Sequence, residues 1–229
     1  MTAAARGCLI DVYDTIFRSV FVERVTALAD SLGVSVEGWL AELEKTRLDR
    51  DRGRLSTAAA YDQAVRGLGI EPADGLIDDL VRRDAEFSRA HTRLFDDTVP
   101  FFAWLRSQGI AIALVSNCGD STRGLLEHLG VVPLVDAVVL SCEVGSAKPS
   151  PEIYVTALAD LGVAAADAVF IDDQPTYCVG AEAVGVRPIQ ITRDGVDAVS
   201  AINAINGAAA GGGWDFPVVR SLLDAKALV

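Results

Sequence analysis

The chain has 229 residues, of which 20 are basic and 32 acidic, so its formal net charge at neutral pH is −12. This charge disfavours non-specific attraction to nucleic acid or to an anionic membrane, and we expect neither as a partner. Hydrophobic residues make up 51% of the chain. That fraction excludes a disordered chain and is sufficient for one full-sized domain with a smaller insertion.

The sequence contains no signal for export or for membrane insertion. No uninterrupted apolar stretch reaches the roughly 18 residues that a membrane span needs, and the segment MTAAARGCLI does not have the pattern of a signal peptide. The four cysteines form no CxxC pair, which favours reduced thiols over a disulfide framework or a zinc site. We therefore expect a cytoplasmic protein, and we interpret Cys118 as a small buried hydrophobe.

Short apolar runs that predict strands recur along the chain. The first is GCLID at 7–11, and others follow at 110–116, 136–141, 168–173 and, more weakly, 186–191. Nearly continuous apolar strands separated by helical segments indicate a parallel sheet that is covered on both faces. We predict an α/β fold with a Rossmann-like, doubly wound parallel sheet, in which ligands bind at the carboxyl ends of the strands.

A long helical segment separates the first two predicted strands. Residues 17–95 show helical periodicity and almost no strand signal, and Ser56 and Pro72 are predicted to start two of the helices. We therefore predict a helical cap over 17–95, inserted into a core that consists of 1–16 and 96–229.

The end of the chain predicts a linker and a final helix. The glycine-rich run NGAAAGGGWDFP at 206–217 is typical of a flexible linker. From Phe216 onward the pattern predicts a helix that docks on the body of the protein or on a second subunit. A homodimer therefore remains open.

Polar residues follow the strong predicted strands and the segment after the third one. In chain order they are Asp11, Ser116, Asn117, Lys148, Asp172 and Asp173. Each residue alone has an ordinary explanation as a turn residue or a helix cap. Because the carboxyl ends of parallel strands meet at one edge of a sheet, their shared position favours a functional site.

Four motifs at these positions together resemble the haloacid dehalogenase-like hydrolase superfamily. They are DVYDT, VSN, the lysine of SAKPSPEIY, and FIDDQPTYCVGAEAVG. Their spacing resembles the subgroup with a helical cap between the first two motifs. The resemblance implies that Asp11 is a nucleophile that forms an aspartyl intermediate. It also implies that Ser116, with Asn117 beside it, binds the phosphoryl group.

The same resemblance assigns the remaining charged residues. It implies that Lys148 stabilises the nucleophile and the phosphoryl charge, that Asp173 binds Mg²⁺, and that Asp172 supports the metal shell. Like charges about 4 Å apart repel by ~4 kcal/mol at an effective dielectric constant near 20. A carboxylate can therefore attack a phosphate dianion only when a hard divalent cation and a nearby lysine offset that repulsion.

The middle residue of DVYDT departs from the phosphatases that the chain resembles. Those enzymes usually carry an aspartate there, which protonates the leaving alkoxide and then activates water, while its backbone carbonyl binds the metal. Tyr13 keeps the carbonyl, so Mg²⁺ is expected at Asp11, the Tyr13 carbonyl and Asp173. A phenol with a pKa of about 10 is a poor base at neutral pH, and losing positioned acid–base assistance costs about 10²- to 10⁴-fold.

The neighbouring residue, Asp14, is interpreted as structural. In an extended chain its side chain would point to the face opposite Asp11 and Tyr13.

Three functions remain open from the sequence. The favoured one is a magnesium-dependent phosphatase of small phosphate monoesters that prefers good leaving groups. The second is a 2-haloacid dehalogenase, whose first motif resembles DxYGT and whose halide leaving group needs neither a proton nor a metal. The third is a binding or regulatory protein with weak turnover.

Several residues weigh on this choice. Asp14 in place of the glycine and the acidic pair after the fourth strand speak against the dehalogenase. So does the lack of an assigned halide-binding arginine in the cap, since the nearest candidate, Arg47, lies in a run that is typical of a solvated charged face. We expect specificity to lie in the cap, with Arg18, Arg47 and Tyr61 as candidate contacts.

Overall fold

A computed structural model of the protein describes residues 5–193 and 215–229. Within these residues, six parallel strands form one sheet in the order β3-β2-β1-β4-β5-β6. The strands are β1 (Gly7–Ile10), β2 (Ala111–Ser116), β3 (Ala137–Leu140), β4 (Ala168–Asp172), β5 (Arg187–Ile191) and β6 (Val218–Val219). The predicted α/β fold with a parallel sheet is confirmed. Most of the linker predicted at 206–217 lies outside the described residues.

Helices cover both faces of this sheet. They are α6 (Thr98–Ser107), α7 (Thr122–His128), α8 (Ser141–Val144), α9 (Pro151–Leu161) and α10 (Pro175–Ala183). On one face, Ile10 and Leu114 pack in a cluster with Phe101 of α6. On the other face, Leu9 and Phe170 pack with residues of α9. Side chains of successive strand residues are thus buried on opposite faces of the sheet, which explains why the strands are continuous apolar runs in the sequence.

The helical insertion, defined here as residues 17–95, has an apolar core of its own. Its helices are α1 (Phe21–Leu32), α2 (Val36–Lys45), α3 (Arg47–Asp51), α4 (Thr57–Gly67) and α5 (Leu76–His91). Trp39, Tyr61 and Leu80 are buried in a cluster whose members all come from the insertion. The assignment of this segment as a cap, and of the rest as core, stays a prediction.

The two predicted helix starts have different outcomes. Ser56 is the N-cap of α4 and accepts a hydrogen bond from the Ala59 amide at 3.2 Å, as its residue type predicts. The start predicted at Pro72 is wrong, because α5 begins at Leu76. Gly75 directly before it has a φ of 77°, a left-handed conformation that interrupts helical geometry and sets the boundary.

The helix predicted from Phe216 to the end of the chain is also wrong. Val218–Val219 instead forms β6, and a short 3₁₀ helix over Asp224–Ala227 follows. Pro217 lacks an amide donor, while its carbonyl accepts a hydrogen bond from the Gln190 amide at 2.9 Å. The β-branched pair therefore completes the edge of the sheet beside β5.

The two connections between the sheet and the helical insertion run side by side. The Phe95 amide donates to the Ile16 carbonyl at 3.0 Å. Arg193, which follows β5, contacts both connections. Its guanidinium donates to the Thr15 carbonyl at 2.6 Å and pairs with Asp97 at 2.9 Å. In the described part of the chain, every helix is too short or too polar to span a membrane.

Candidate active site

Asp11 lies at the carboxyl end of β1, next to a buried lysine. Its amide donates to the Ile171 carbonyl at 2.9 Å, which continues the pairing with β4. The Lys148 Nζ lies 2.5 Å from Asp11 Oδ1 and 2.6 Å from Asp172 Oδ2, and the lysine side chain is 1% exposed. Burial alone would lower the pKa of Lys148, but the charges of Asp11 and Asp172 outweigh it and raise that pKa. The lysine is therefore cationic.

Asn117 fixes the backbone that carries this lysine. Its Oδ1 accepts a hydrogen bond from the Lys148 amide at 2.7 Å, and its Nδ2 donates to the Lys148 carbonyl at 2.8 Å. The two bonds tie the end of β2 to the segment after β3. The structure shows Asn117 in this positioning contact, and its predicted binding of substrate stays a prediction.

Ser116 lies deeper than Asn117. Its side chain is fully buried, and its Oγ has no hydrogen-bond partner among the described residues. Asn117 lines the cavity described below, whereas Ser116 does not. A buried hydroxyl without a partner is unusual, and its role as a phosphoryl contact stays a prediction.

Three carboxylates converge at this edge of the sheet. Oxygen atoms of Asp11, Asp172 and Asp173 lie within 4.8 Å of one another. Asp172 is occupied on both oxygens, since Oδ2 pairs with Lys148 and Oδ1 accepts from the Gln174 amide at 2.7 Å. Asp173 is half-buried, and its Oδ2 accepts from the Gln174 side chain at 2.6 Å.

The cluster has the chemistry of a hard-cation site. Burial, and then the charges of Asp172 and Asp11, raise the pKa of Asp173. Carboxylate oxygens are the ligands that Mg²⁺ prefers, and a divalent cation would relieve the mutual repulsion that one lysine leaves uncompensated. The residues present therefore fit a magnesium ion.

Tyr13 lines the same cavity, but the contacts of its hydroxyl do not suit it to act as a base. Its hydroxyl oxygen lies 2.9 Å from Thr122 Oγ1 in α7, and its ring meets Phe17 edge-on with centroids 5.0 Å apart. Burial raises the pKa of the phenol above its ordinary value. The side chain therefore stays protonated and does not replace a carboxylate base.

Asp14 lies on the cavity side, contrary to the expectation drawn from an extended chain. Its φ of 58° places it in the left-handed region, so the alternation of side chains along a strand does not apply. The residue is buried, lines the cavity, and accepts a hydrogen bond from the Ser19 amide at 2.7 Å. Burial, opposed by that hydrogen bond, raises the pKa of Asp14 to about 6.

A cavity of about 650 Å³ lies between the sheet edge and the helical insertion. Of the candidate specificity residues, Arg47 and Tyr61 line it, whereas Arg18 is exposed and does not. Sequence reasoning missed the ion pair between the half-buried Arg24 of α1 and the buried Asp84 of α5, which also lines the cavity. The two residues are 60 positions apart, so no local pattern links them.

A second polar contact joins the helical insertion to the sheet. Asp120, in the loop after β2, accepts a hydrogen bond from the Thr57 amide at 3.1 Å and a second one from the Thr57 hydroxyl. A carboxylate at this position satisfies an amide in the first turn of α4 and interacts favourably with the helix dipole. The start of α4 is thus held from outside the insertion.

The site and fold agree with a family match. The sequence profile of the haloacid dehalogenase-like hydrolases matches residues 5–185. The chain therefore belongs to the haloacid dehalogenase-like hydrolase family, and the resemblance carried by the four motifs is confirmed.

Individual relatives include both phosphatases and dehalogenases. The chain is 29% identical over 188 residues to a phosphoserine phosphatase from Thermus thermophilus, covering 76% of either chain. It is 26% identical to a glyceraldehyde 3-phosphate phosphatase from Methanopyrus kandleri, covering 82% of this chain and 84% of the relative. Among solved structures, a dehalogenase superimposes with a TM-score of 0.68 at 22% identity, covering 100% of this chain and 99% of the other. A phosphatase from Thermococcus onnurineus has a TM-score of 0.66 at 20% identity and covers 97% of each chain.

Proposed function

We propose that the protein is a magnesium-dependent phosphatase that hydrolyses small phosphate monoesters through an aspartyl-phosphate at Asp11. The observation that carries the proposal is the convergence of Asp11, Asp172 and Asp173 within 4.8 Å. A halide-releasing site has no use for this much negative charge, whereas a phosphatase that binds a divalent cation needs it. The phosphatases among the relatives support the same class of reaction.

In this proposal Mg²⁺ is held by Asp11, the Tyr13 carbonyl and Asp173. When bound, the ion supplies positive charge that offsets the repulsion between nucleophile and phosphate. Asp172 accepts hydrogen bonds from Lys148 and Gln174, so it orients the lysine and supports the metal shell rather than binding the ion directly.

The remaining roles in the proposed reaction belong to side chains of the protein. An oxygen of Asp11 attacks phosphorus, the bond between phosphorus and the ester oxygen breaks, and the alkoxide or phenolate leaves. Lys148 stabilises the charge on the nucleophile and the transferred phosphoryl group, and Asn117 holds Lys148 in place. Ser116 is assigned to a phosphoryl oxygen, which would satisfy its unpartnered hydroxyl. Water then hydrolyses the aspartyl-phosphate.

Proton transfer is the weak step of this site. The position of the usual acid carries Tyr13, which is half-buried and whose hydroxyl is hydrogen-bonded to Thr122. Substrates whose leaving group departs without a proton, such as nitrophenolate from an aryl phosphate or carboxylate from an acyl phosphate, are therefore the best ones. The helical insertion is proposed to act as a cap that excludes water from the cavity beneath it.

Paired assays test the proposal. Hydrolysis of p-nitrophenyl phosphate and halide release from 2-chloropropionate should be measured in parallel, each with magnesium and with chelator. We expect magnesium-dependent phosphate release that Asp11→Asn abolishes. Chelator-resistant halide release would establish the dehalogenase instead. Metal binding without turnover of either compound would favour a binding or regulatory protein.

A further inference from the structure

The arginines that line the cavity differ in how their charges are compensated. Arg24 forms an ion pair with the buried Asp84. Arg47 pairs with Asp51 at 3.5 Å and with a second carboxylate on the preceding helix. Arg50 lies on the same short helix as Arg47 and also lines the cavity, but it has no ion-pair partner among the described residues.

The hydrogen bonding of Arg50 is also incomplete. Its Nη2 donates to the Leu43 carbonyl at 3.1 Å, which holds the guanidinium in place. Its Nε is buried and has no partner among the described residues. Buried donors are nearly always satisfied, because leaving one without an acceptor costs free energy. The guanidinium is thus half-buried, is held by one hydrogen bond, and has no ion pair with the described residues, so its outer donors are available to a ligand in the cavity.

The other charged side chains that line the cavity indicate which kind of ligand Arg50 would bind. The same cavity is lined by carboxylates of the helical insertion, namely Glu37, Glu44, Asp51 and Asp84. All of these except Glu37 already pair with Arg24 or Arg47, so those two arginines are compensated and an anion entering the cavity has few cations to bind. Arg89 also lines the cavity without an ion-pair partner among the described residues, but its side chain is exposed and water competes there. Arg50 is half-buried, so water competes less with a ligand there.

We propose that Arg50 binds a carboxylate on the leaving group of the substrate. The substrate class is then phosphate monoesters whose organic part carries a carboxylate. A planar guanidinium pairs with a carboxylate through parallel hydrogen bonds, and a cavity of about 650 Å³ has room for an organic group besides the phosphate. This inference rests on the proposed phosphatase function and makes Arg50 a specificity-determining residue.

A matched pair of substrates tests it. Phenyl phosphate and 4-carboxyphenyl phosphate both release a phenol, and only the second carries the additional anion. We expect the wild type to prefer 4-carboxyphenyl phosphate. Arg50→Gln should lower kcat/KM for that substrate by about 10- to 100-fold, mainly through KM, and change phenyl phosphate by about 2-fold or less. Arg50→Lys should restore part of the preference, because it restores the charge without the planar geometry.

Two further variants serve as controls. Arg54→Gln makes the same charge change at an exposed guanidinium that pairs with Asp49 and does not line the cavity, so it should not remove the preference. Arg89→Gln tests the exposed alternative. Equal losses on both substrates for Arg50→Gln, a preference that follows Arg89, or no preference in the wild type would overturn the inference. Thermal unfolding of each variant checks that the protein remains folded.

A binding measurement separates this inference from the proposed reaction. If neither phosphate is hydrolysed, the phosphatase proposal fails, yet calorimetric titration of the Asp11→Asn variant still addresses Arg50. Tighter binding of 4-carboxyphenyl phosphate than of phenyl phosphate, lost in the double variant with Arg50→Gln, would support the carboxylate site. Equal binding of the two compounds would overturn it.

Discussion

Tyr13 controls how the proposed reaction handles its proton. Tyr13→Asp would place a carboxylate at the mouth of β1, where the related phosphatases carry their acid. We expect turnover of an alkyl phosphate to rise by about 10²- to 10⁴-fold, because alkoxides leave only with a proton. Turnover of p-nitrophenyl phosphate should hardly change. Steady-state kinetics on both substrates measure the difference.

Tyr13→Phe is the control for this exchange. It removes the hydrogen bond to Thr122 and keeps the ring, so both substrates should react as in the wild type. A loss of rate on both substrates in Tyr13→Asp would contradict the assignment of the missing proton to this position.

Asp14 makes folding stability depend on pH in a direction that can be worked out. Its pKa is raised from 3.8 to about 6 in the folded protein, so between these values the native state holds a proton that the unfolded chain has released. The free energy of unfolding therefore falls as pH rises from about 4 to about 6 and stays lowered above that. Asp14→Asn removes this loss while keeping an acceptor for the Ser19 amide.

The variant should thus be more stable than the wild type at pH 7 by about 2 to 3 kcal/mol, with no such gain near pH 3. Asparagine also tolerates the left-handed backbone. Urea unfolding in chelator at both pH values measures this, and an equal gain at both would show that the carboxylate charge is not the cause.

Only part of the site was predictable at this scale. Asp11, Lys148 and Asp173 follow strands or motifs, so the sheet alone brings them together. Arg50 gave no such signal, because its significance lies in a missing partner that appears only after the helices pack. The direction of the Asp14 side chain was predicted wrongly, because a single residue with left-handed backbone breaks the alternation of side chains along an extended chain.

At the scale of elements, the start of α4 depends on two caps of different origin. Ser56 caps it locally, and Asp120 reaches it from the loop after β2. Asp120→Ala should lower stability by about 1 kcal/mol and speed hydrogen exchange at the Thr57 amide. Hydrogen-exchange mass spectrometry of the peptide that begins α4 measures the effect.

Ser56→Ala is the matched control, since it removes the acceptor of the Ala59 amide and leaves Asp120 in place. If Asp120→Ala left the protection of Thr57 unchanged, the contact would not hold the helix start in solution.

The elements themselves were predictable to the extent that each carried its own pattern. Continuous apolar runs identified β1 to β5, because strands buried on both faces leave no room for polar residues. The end of the chain was misread because Val218–Val219 is too short for a pattern, and its pairing with β5 depends on distant residues. The boundary of α5 moved because Gly75 follows Pro72 by only three positions.

At the scale of the whole molecule, metal binding should stabilise the fold. A ligand that binds only the native state raises the free energy of unfolding, by about 2.7 kcal/mol at a concentration 100 times its Kd. We expect Mg²⁺ to raise the Tm of the wild type, and Asp173→Asn to remove most of that rise. Scanning calorimetry across a magnesium series measures it.

Sodium chloride at matched ionic strength controls for screening of the net charge of −12. An equal rise in Tm with sodium chloride would show that screening, rather than a bound ion, is responsible.

The hydrogen bond between the Phe95 amide and the Ile16 carbonyl also bears on how this protein can be re-engineered. The chain leaves the sheet and returns to it at one point. Most buried apolar side chains of the segment between pack against one another, while Phe17 and Leu94 at its two ends join the cluster on the sheet. Replacing the helical insertion by a short turn from Ile16 to Phe95 would thus preserve the strand order. A different helical segment could be inserted at the same point of the chain. Under the proposed assignment of the insertion as a cap, such exchanges would alter substrate selectivity while keeping the reacting groups of the sheet.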